Sequence, residues 1–254
     1  MIDLHSHILP QIDDGAGSIE ESTALLKEAK SAGFNAVFMT PHYIESSMEE
    51  TIENKNLLIQ EIQNQLKEED IEIDLYCGAE IYISPITDKL LYDKKVETLN
   101  NSKYVLLELP RYSVIQYLDE VLSRLIAQKY IPIIAHPERY DIVQKNPNLL
   151  IDLINKGVYF QMNYGSIVGY YGKTAQKTAK ILLKSNMIQF LGTDVHKAGT
   201  IYGRVDKIIR KIKKVIGEYE LEKLTIDNPK AVIENQDIEI TPPIVYKKKL
   251  FGIF

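Results

Sequence analysis

Ile2-Asp3-Leu4-His5-Ser6-His7 sets an aliphatic run of strand character directly against two histidines one residue apart. Alternate side chains of a strand share a face, so this spacing turns both imidazoles to the same side, the interior of a barrel. The same arrangement recurs down the chain. Short β-branched and aliphatic runs at 2–4, 36–39, 73–77, 104–107, 131–135, 158–161 and 188–191 alternate with longer amphipathic stretches. That order is expected of parallel strands joined by crossover helices. We therefore expect an α/β fold, a β/α barrel in a single domain.

Local signals fit that frame. Ser18-Ile19-Glu20-Glu21 has capping-box spacing, in which Ser18 and Glu21 satisfy each other's free backbone donors, and Gly33 is placed to end the helix. The stretches 52–66 and 205–216 carry apolar residues three and four apart, the pattern of one buried helical face. There is no repeat, low-complexity segment or Pro/Gly/Ser linker to divide the chain. Residues 1–241 are read as the barrel and 242–254, where the character changes, as a tail.

All five histidines, His5, His7, His42, His136 and His196, fall at the C-terminal end of a predicted strand or a few residues beyond it. In a parallel β/α fold those ends converge on one face. Asp194-Val195-His196 repeats the period-two spacing, Glu80 and Glu108 follow the third and fourth strands, and Asp14 lies in the first loop. A solitary histidine or glutamate in such a place is ordinarily structural or solvated. Independent solvated residues have no reason to share a face, however, and nine donors together read as a metal site. They exceed what one tetrahedral zinc needs and suit two or three divalent ions sharing a bridging carboxylate. Such donors accept manganese, iron, cobalt and zinc alike. Either carboxylate of Asp13-Asp14-Gly15 can turn inward while the other caps the loop; Asp14 is taken as the donor. Arg139, three residues past His136, and Arg204, eight past His196, offer planar forks that bind phosphate oxygens two at a time. A surface salt bridge is the bland reading for each, and Arg111 is a weaker candidate.

Composition narrows the classes. With 30 Lys plus Arg against 35 Asp plus Glu, the net charge of −5 argues against sequence-independent nucleic-acid binding. A single cysteine, Cys77, excludes an intramolecular disulfide framework and fits a reducing compartment, so a cytoplasmic protein is expected. The start shows no leader pattern, and no run reaches the ~18 apolar residues of a spanning helix. A cysteine-based phosphatase would need an arginine six residues after its nucleophile, and six after Cys77 stands Ile83.

Taken together, His5-Ser6-His7-Ile8-Leu9-Pro10 with Asp13-Asp14-Gly15, Thr40-Pro41-His42, Gly78-Ala79-Glu80-Ile81-Tyr82, His136-Pro137-Glu138-Arg139-Tyr140 and Thr193-Asp194-Val195-His196 resemble the PHP (polymerase and histidinol phosphatase) superfamily. More narrowly they resemble the bacterial manganese-dependent protein tyrosine phosphatases of the CpsB/YwqE type. The resemblance runs from His5 to about Pro229. It implies a distorted (β/α)7 barrel and a trinuclear centre: His5, His7, Glu80 and Asp194 on one metal, Glu80, Glu108 and His136 on a second, and Asp14, His42 and His196 on a third. It also implies that Glu80 bridges and that Arg139 and Arg204 hold phosphate; His196 is counted with them as catalytic, and a metal-activated water attacking phosphorus with no covalent phosphoenzyme is the expected mechanism. The family's usual Arg-Pro-Pro departs here to Arg204-Val205-Asp206. The implied substrate is the tyrosine-rich tail of a bacterial tyrosine kinase controlling capsular or exopolysaccharide export, which would bring the protein to the inner face of the membrane. Self-association through the Glu20-Glu21 helix is implied as well. A small-molecule phosphatase acting on histidinol phosphate is the alternative enzyme, and a non-catalytic binding module the alternative class.

Two features lie outside this scheme. Lys207, Arg210, Lys211, Lys213 and Lys214 read as a solvated helix face, with an acidic partner as the other reading. Lys247-Lys248-Lys249-Leu250-Phe251-Gly252-Ile253-Phe254 reads as packing on its own barrel or disorder, with docking on a membrane or kinase as the alternative.

Overall fold

The structure is a computed structural model that describes residues 1–112 and 115–248. Among these the strands are β1 Ile2–Asp3, β2 Ala36–Met39, β3 His42–Tyr43, β4 Asp74–Cys77, β5 Glu80–Tyr82, β6 Tyr104–Glu108, β7 Ile131–Ala135, β8 Tyr159–Asn163 and β9 Phe190–Gly192. The helices are α1 Ile19–Ser31, α2 Ile52–Glu68, α3 Thr87–Tyr92, α4 Leu118–Ala127, α5 Asp141–Lys145, α6 Leu149–Asn155, α7 Lys173–Lys184, α8 Val205–Glu222 and α9 Asn228–Ile233. All strand pairs are parallel, in the orders β1-β2-β4 and β3-β5-β6-β7-β8-β9.

Each of the seven predicted runs holds a strand. The two additional strands continue β2 and β4 upward after a break. Pro41, between β2 and β3, has no N–H to give the ladder. Its carbonyl instead accepts from Glu80 N–H at 3.0 Å, so pairing resumes between β3 and β5. The two sheets join where first strand meets last. Ser6 bridges Val195, His7 N–H donates to the Val195 carbonyl at 2.9 Å, and Asp194 N–H donates to the His5 carbonyl at 2.8 Å. Seven strand pathways thus close into a distorted (β/α)7 ring, and the loops that follow the strands gather at one rim.

The strand period sorts the core. Tyr104 and Leu106 of β6 belong to a smaller apolar cluster with Phe38, Ile133, Ala135 and Phe190, whereas Val105 and Leu107 belong to the larger one beneath the helices. Glu108 continues the first series and so emerges above it at the rim.

Helix α1 starts as its sequence suggests, with Ser18 Oγ accepting from Glu21 N–H at 3.2 Å. The reciprocal half of the capping box differs. The Glu21 carboxylate accepts from Gly17 N–H at 2.8 Å rather than from Ser18, one residue further out. Gly33, at φ 88°, ends the helix in the left-handed conformation glycine adopts without strain. Near the C-terminus, Ile244 N–H donates to the Ser185 carbonyl at 2.8 Å, and Tyr246 exchanges backbone bonds with the Asn148 side chain at 2.8 and 3.0 Å. Of the tail, 249–254 lie outside the described residues.

Candidate metal centre

The nine donors named from the sequence converge at the rim. Three groups have donor atoms all within 4.8 Å of one another: His5, His7 and Glu80; His42, Glu80 and Glu108; and His7, Asp14, His42 and His196. Asp194 joins the first, its Oδ1 lying 3.8 Å from His5 Nε2 and 3.4 Å from His7 Nε2. His136 adjoins the second, with Nε2 2.9 Å from Glu80 Oε1 and 3.8 Å from Glu108 Oε1. Glu80, fully buried, stands in the middle. Its Oε2 lies 3.3 Å from His5 Nε2, 3.4 Å from His7 Nε2 and 2.9 Å from His42 Nδ1.

Hydrogen bonds behind the histidines decide which nitrogen faces this space. His5 Nδ1 is 2.8 Å from Gln161 Oε1, His7 Nδ1 2.7 Å from Asp13 Oδ2, and His196 Nδ1 3.0 Å from the Asp194 carbonyl. An acceptor behind Nδ1 places the proton there and leaves Nε2 with a free lone pair, the usual arrangement of metal-binding histidine. His5 and His7 bring those Nε2 atoms to 3.1 Å of each other. Asp13 therefore holds His7 and accepts from His42 N–H at 2.9 Å, while Asp14 presents its carboxylate to His196 Nε2 at 3.1 Å and His42 Nε2 at 3.7 Å.

Divalent ions fit this donor set. His42 Nδ1 and Glu80 Oε2 are both buried and both lack a hydrogen-bond partner despite their 2.9 Å separation. Two orphaned lone-pair atoms facing each other are costly unless cations stand against them.

Without ions, protons take that role. Burial pulls the pKa of His5 down, but Glu80 and Asp194 more than offset it and raise it from 6.5 to about 8. A group whose pKa is higher folded than unfolded stabilises the fold fully below its unfolded value and loses that contribution as pH rises through the folded one. Chelator-stripped protein is therefore expected to lose melting temperature between about pH 6 and about pH 9. Metal-loaded protein should lose less, because an ion occupies the same nitrogen once the proton has gone. Thermal denaturation at the two pH values, with and without chelator, checks this; parallel pH dependences would contradict it.

Two donors sit on strained backbone. His136 has φ 35° and Asp194 φ 53°, left-handed values that non-glycine residues seldom adopt. His136 directly follows β7 and Asp194 lies two residues past β9, and each turns a side chain into the rim, where such strain is commonly tolerated.

The arginines differ. Arg139 Nη1 donates to Asp194 Oδ2 at 2.9 Å, and its guanidinium lies 4.7 Å from the Tyr171 ring centroid, which fixes it at the edge of the cluster. Arg204 is exposed and makes no side-chain hydrogen bond or ion pair among the described residues. Arg111 lies over the ring of its neighbour Tyr112. Cys77 donates to Glu97 Oε1 at 3.0 Å, and burial, with the Glu97 charge, pushes its thiol far up, away from the thiolate a nucleophile needs. Cys77→Ser should keep phosphatase turnover within about twofold; loss of turnover would implicate the thiol.

Several supporting residues were not singled out from the sequence. Gln161 Nε2 donates to Asn163 Oδ1 at 3.0 Å, and Asn163 Nδ2 to Asp194 Oδ2 at 2.6 Å, so β8 orients both His5 and Asp194. Asp3, fully buried, accepts from Thr193 N–H, Thr193 Oγ1 and Tyr202 Oη at 2.6 to 2.8 Å and so pins the turn that carries Asp194 and His196. Glu138, also fully buried, accepts from Asn163 N–H at 3.0 Å and Ser166 Oγ at 2.5 Å, holding the turn that carries Arg139.

A closed parallel ring with imidazole and carboxylate donors massed at its C-terminal rim defines a PHP-type barrel, a scaffold for metal-assisted hydrolysis. The chain belongs to the CpsB/CapC capsular polysaccharide synthesis family, whose model matches residues 1–234. It is 33% identical to the tyrosine-protein phosphatase YwqE of Bacillus subtilis, over the whole of both chains. It is 31% identical to the tyrosine-protein phosphatase CpsB of Streptococcus pneumoniae, over 93% of this chain and 99% of that one. A solved structure from the study of YwqE and CpsB, described as metal-dependent tyrosine phosphatases, superposes with TM-score 0.92 at 31% identity, covering 98% of this chain and 100% of the other. A histidinol phosphate phosphatase from Lactococcus lactis shares the fold at TM-score 0.54 and 16% identity.

Proposed function

We propose that this chain is a metal-dependent protein-tyrosine phosphatase whose substrate is the phosphorylated tyrosine-rich tail of a bacterial kinase controlling capsular or exopolysaccharide synthesis. The observation that carries the reading is the convergence of His5, His7, Asp14, His42, Glu80, Glu108, His136, Asp194 and His196 at one rim, on a frame superposable with a metal-dependent tyrosine phosphatase. We assign His5, His7, Glu80 and Asp194 to one ion, Glu80, Glu108 and His136 to a second, and Asp14, His42 and His196 to a third, with manganese as the metal. When bound, such ions supply a water-derived nucleophile at neutral pH and neutralise charge on the phosphoryl oxygens.

The chain's own groups do the rest. Gln161 and Asp13 hold His5 and His7 in the tautomer that offers Nε2. Arg139 has one N–H committed to Asp194, and the remaining donors of its fork orient phosphoryl oxygens. Arg204, exposed and without a side-chain hydrogen bond or ion pair among the described residues, is the second phosphate-binding arginine in this reading. His196 lies at the outer edge, and burial together with the His7 charge pulls its pKa below 6.5. Near pH 7 it is thus neutral, the form that accepts a ligand or a proton at Nε2. A tyrosyl leaving group, with a pKa near ~10, departs without a strong general acid.

The functional unit is read as residues 1–241 with 242–254 as a tail. Self-association is assigned to the first turn of α1, where Glu20 is exposed. The same reading makes the protein cytoplasmic and brings it to the membrane through the kinase. Among the described residues no helix is long and apolar enough to cross a membrane.

Turnover of a phosphotyrosyl peptide against histidinol phosphate tests the substrate class. We expect kcat/KM to favour the peptide by at least about 100-fold. The reverse order would make the protein a small-molecule phosphomonoesterase.

A further inference from the structure

Residues 173–222, which span α7, α8 and the segment between, hold eleven lysines and arginines against five acids, Asp194, Asp206, Glu218, Glu220 and Glu222. That surplus of six lies in a chain of net charge −5, so the remainder carries −11. On α7, Lys173, Lys177, Lys180 and Lys184 recur at helical spacing, all exposed. On the neighbouring α8, Lys207, Arg210 and Lys214 are exposed and Lys211 half-buried, again along one stripe. None of these eight makes an ion pair among the described residues, whereas Lys213 pairs with Glu218. A solvated helix face ordinarily interleaves both signs of charge. Here α7 contains no acidic residue at all.

The C-terminal segment extends this face. The bond from Ile244 N–H to the Ser185 carbonyl lays it beside the end of α7, next to Lys184. Ile244 and Val245 are 56% and 57% exposed there, followed by exposed Lys247 and Lys248. Bare aliphatic side chains among unpaired bases are the composition of a surface that enters a lipid headgroup layer. A nucleic-acid groove would have no use for the aliphatics.

We propose that the α7/α8 face, together with segment 244–248, docks on an anionic lipid bilayer. The bases gather at the negative surface while Ile244 and Val245 insert at the headgroup boundary. These helices flank the ring, so docking through them leaves the rim, at the ends of the strands, open to a substrate held at the same membrane. The proposal does not depend on the phosphatase reading.

Sedimentation of the full chain with phosphatidylcholine vesicles, with and without about one-third phosphatidylglycerol, tests this at low and high salt. We expect co-sedimentation with the anionic vesicles only, and release by about 0.5 M salt. Combining Lys177→Glu, Lys180→Glu, Arg210→Glu and Lys214→Glu should lower the partition coefficient more than about 100-fold, since each base near such a surface contributes about fivefold. Hydrolysis of a soluble phosphotyrosyl peptide should be unchanged. Equal sedimentation with neutral vesicles, or none with either, overturns the proposal. So does capture by a glutamate-rich peptide without vesicle binding, which would assign the face to an acidic protein. If the fourfold variant fails to fold, the wild-type lipid and salt series decides alone.

Discussion

Replacing Glu80 with Gln is expected to lower manganese-restored hydrolysis of a phosphotyrosyl peptide by at least about 10³-fold, equivalent to about 4 kcal/mol of transition-state stabilisation. Among the described residues Glu80 is the one carboxylate within 3.4 Å of His5, His7, His42 and His136. An amide keeps its shape but not its charge, so the ions would lose their shared anionic ligand while the surrounding packing stays filled. The effect should therefore appear in metal content, measured on the purified protein, with the fold retained by circular dichroism. Chelator-stripped wild type should be inactive and recover with manganese. His136→Ala, which removes one nitrogen at the edge and leaves Glu80 in place, should cost less, about 10²-fold. Glu80→Gln within tenfold of wild type would show that this carboxylate does not bridge, and wild type indifferent to chelation would remove the metal mechanism itself.

Much of this centre is written in local sequence. A strand run ending in histidine or carboxylate is visible without tertiary knowledge, and parallel topology then brings the ends together. Glu80 needed less inference than its position suggests, because β5 simply continues β4 past Gly78 and Ala79. The second layer was harder to read. Asp13 and Asp14 are adjacent, and only the folded loop shows that Asp13 turns back to His7 while Asp14 reaches across to His196. Gln161 and Asn163 left a signal that was missed. In Tyr159–Asn163 two amides alternate with Phe160 and Met162, the period-two pattern of a strand whose inner face is polar near its end. Asp3 shares the period-two face of His5 and His7, a signal also missed, whereas Glu138, between Pro137 and Arg139, has no distinguishing spacing. The breaks after β2 and β4 were also invisible as strand boundaries, although Pro41 marked the first of them.

Gly15→Ala should be nearly as damaging as loss of a ligand, for a steric reason. A Cβ at Gly15 would lie 2.1 Å from the carbonyl oxygen of His7 and 2.8 Å from its Cβ. These are atoms at the base of the His7 side chain and cannot swing aside, so either the loop or His7 must move. The loop is fastened there on purpose of geometry: Ala16 N–H donates to the His7 carbonyl at 3.2 Å, and Gly15 N–H to Asp13 Oδ1 at 2.9 Å. Pushing it out would withdraw Asp13 from His7 and from His42 N–H, and Asp14 from His196, so two of the three donor groups loosen together. We expect turnover to fall at least about 100-fold from misplacement of this size, with a stability loss of about 1–3 kcal/mol from overpacking. Asp13→Asn separates the causes, since it keeps the loop in place and weakens only the charge behind His7; it should lose less activity and little stability. If Gly15→Ala instead turns over and melts like wild type, the loop relaxes without disturbing His7, and the rim does not depend on this close approach.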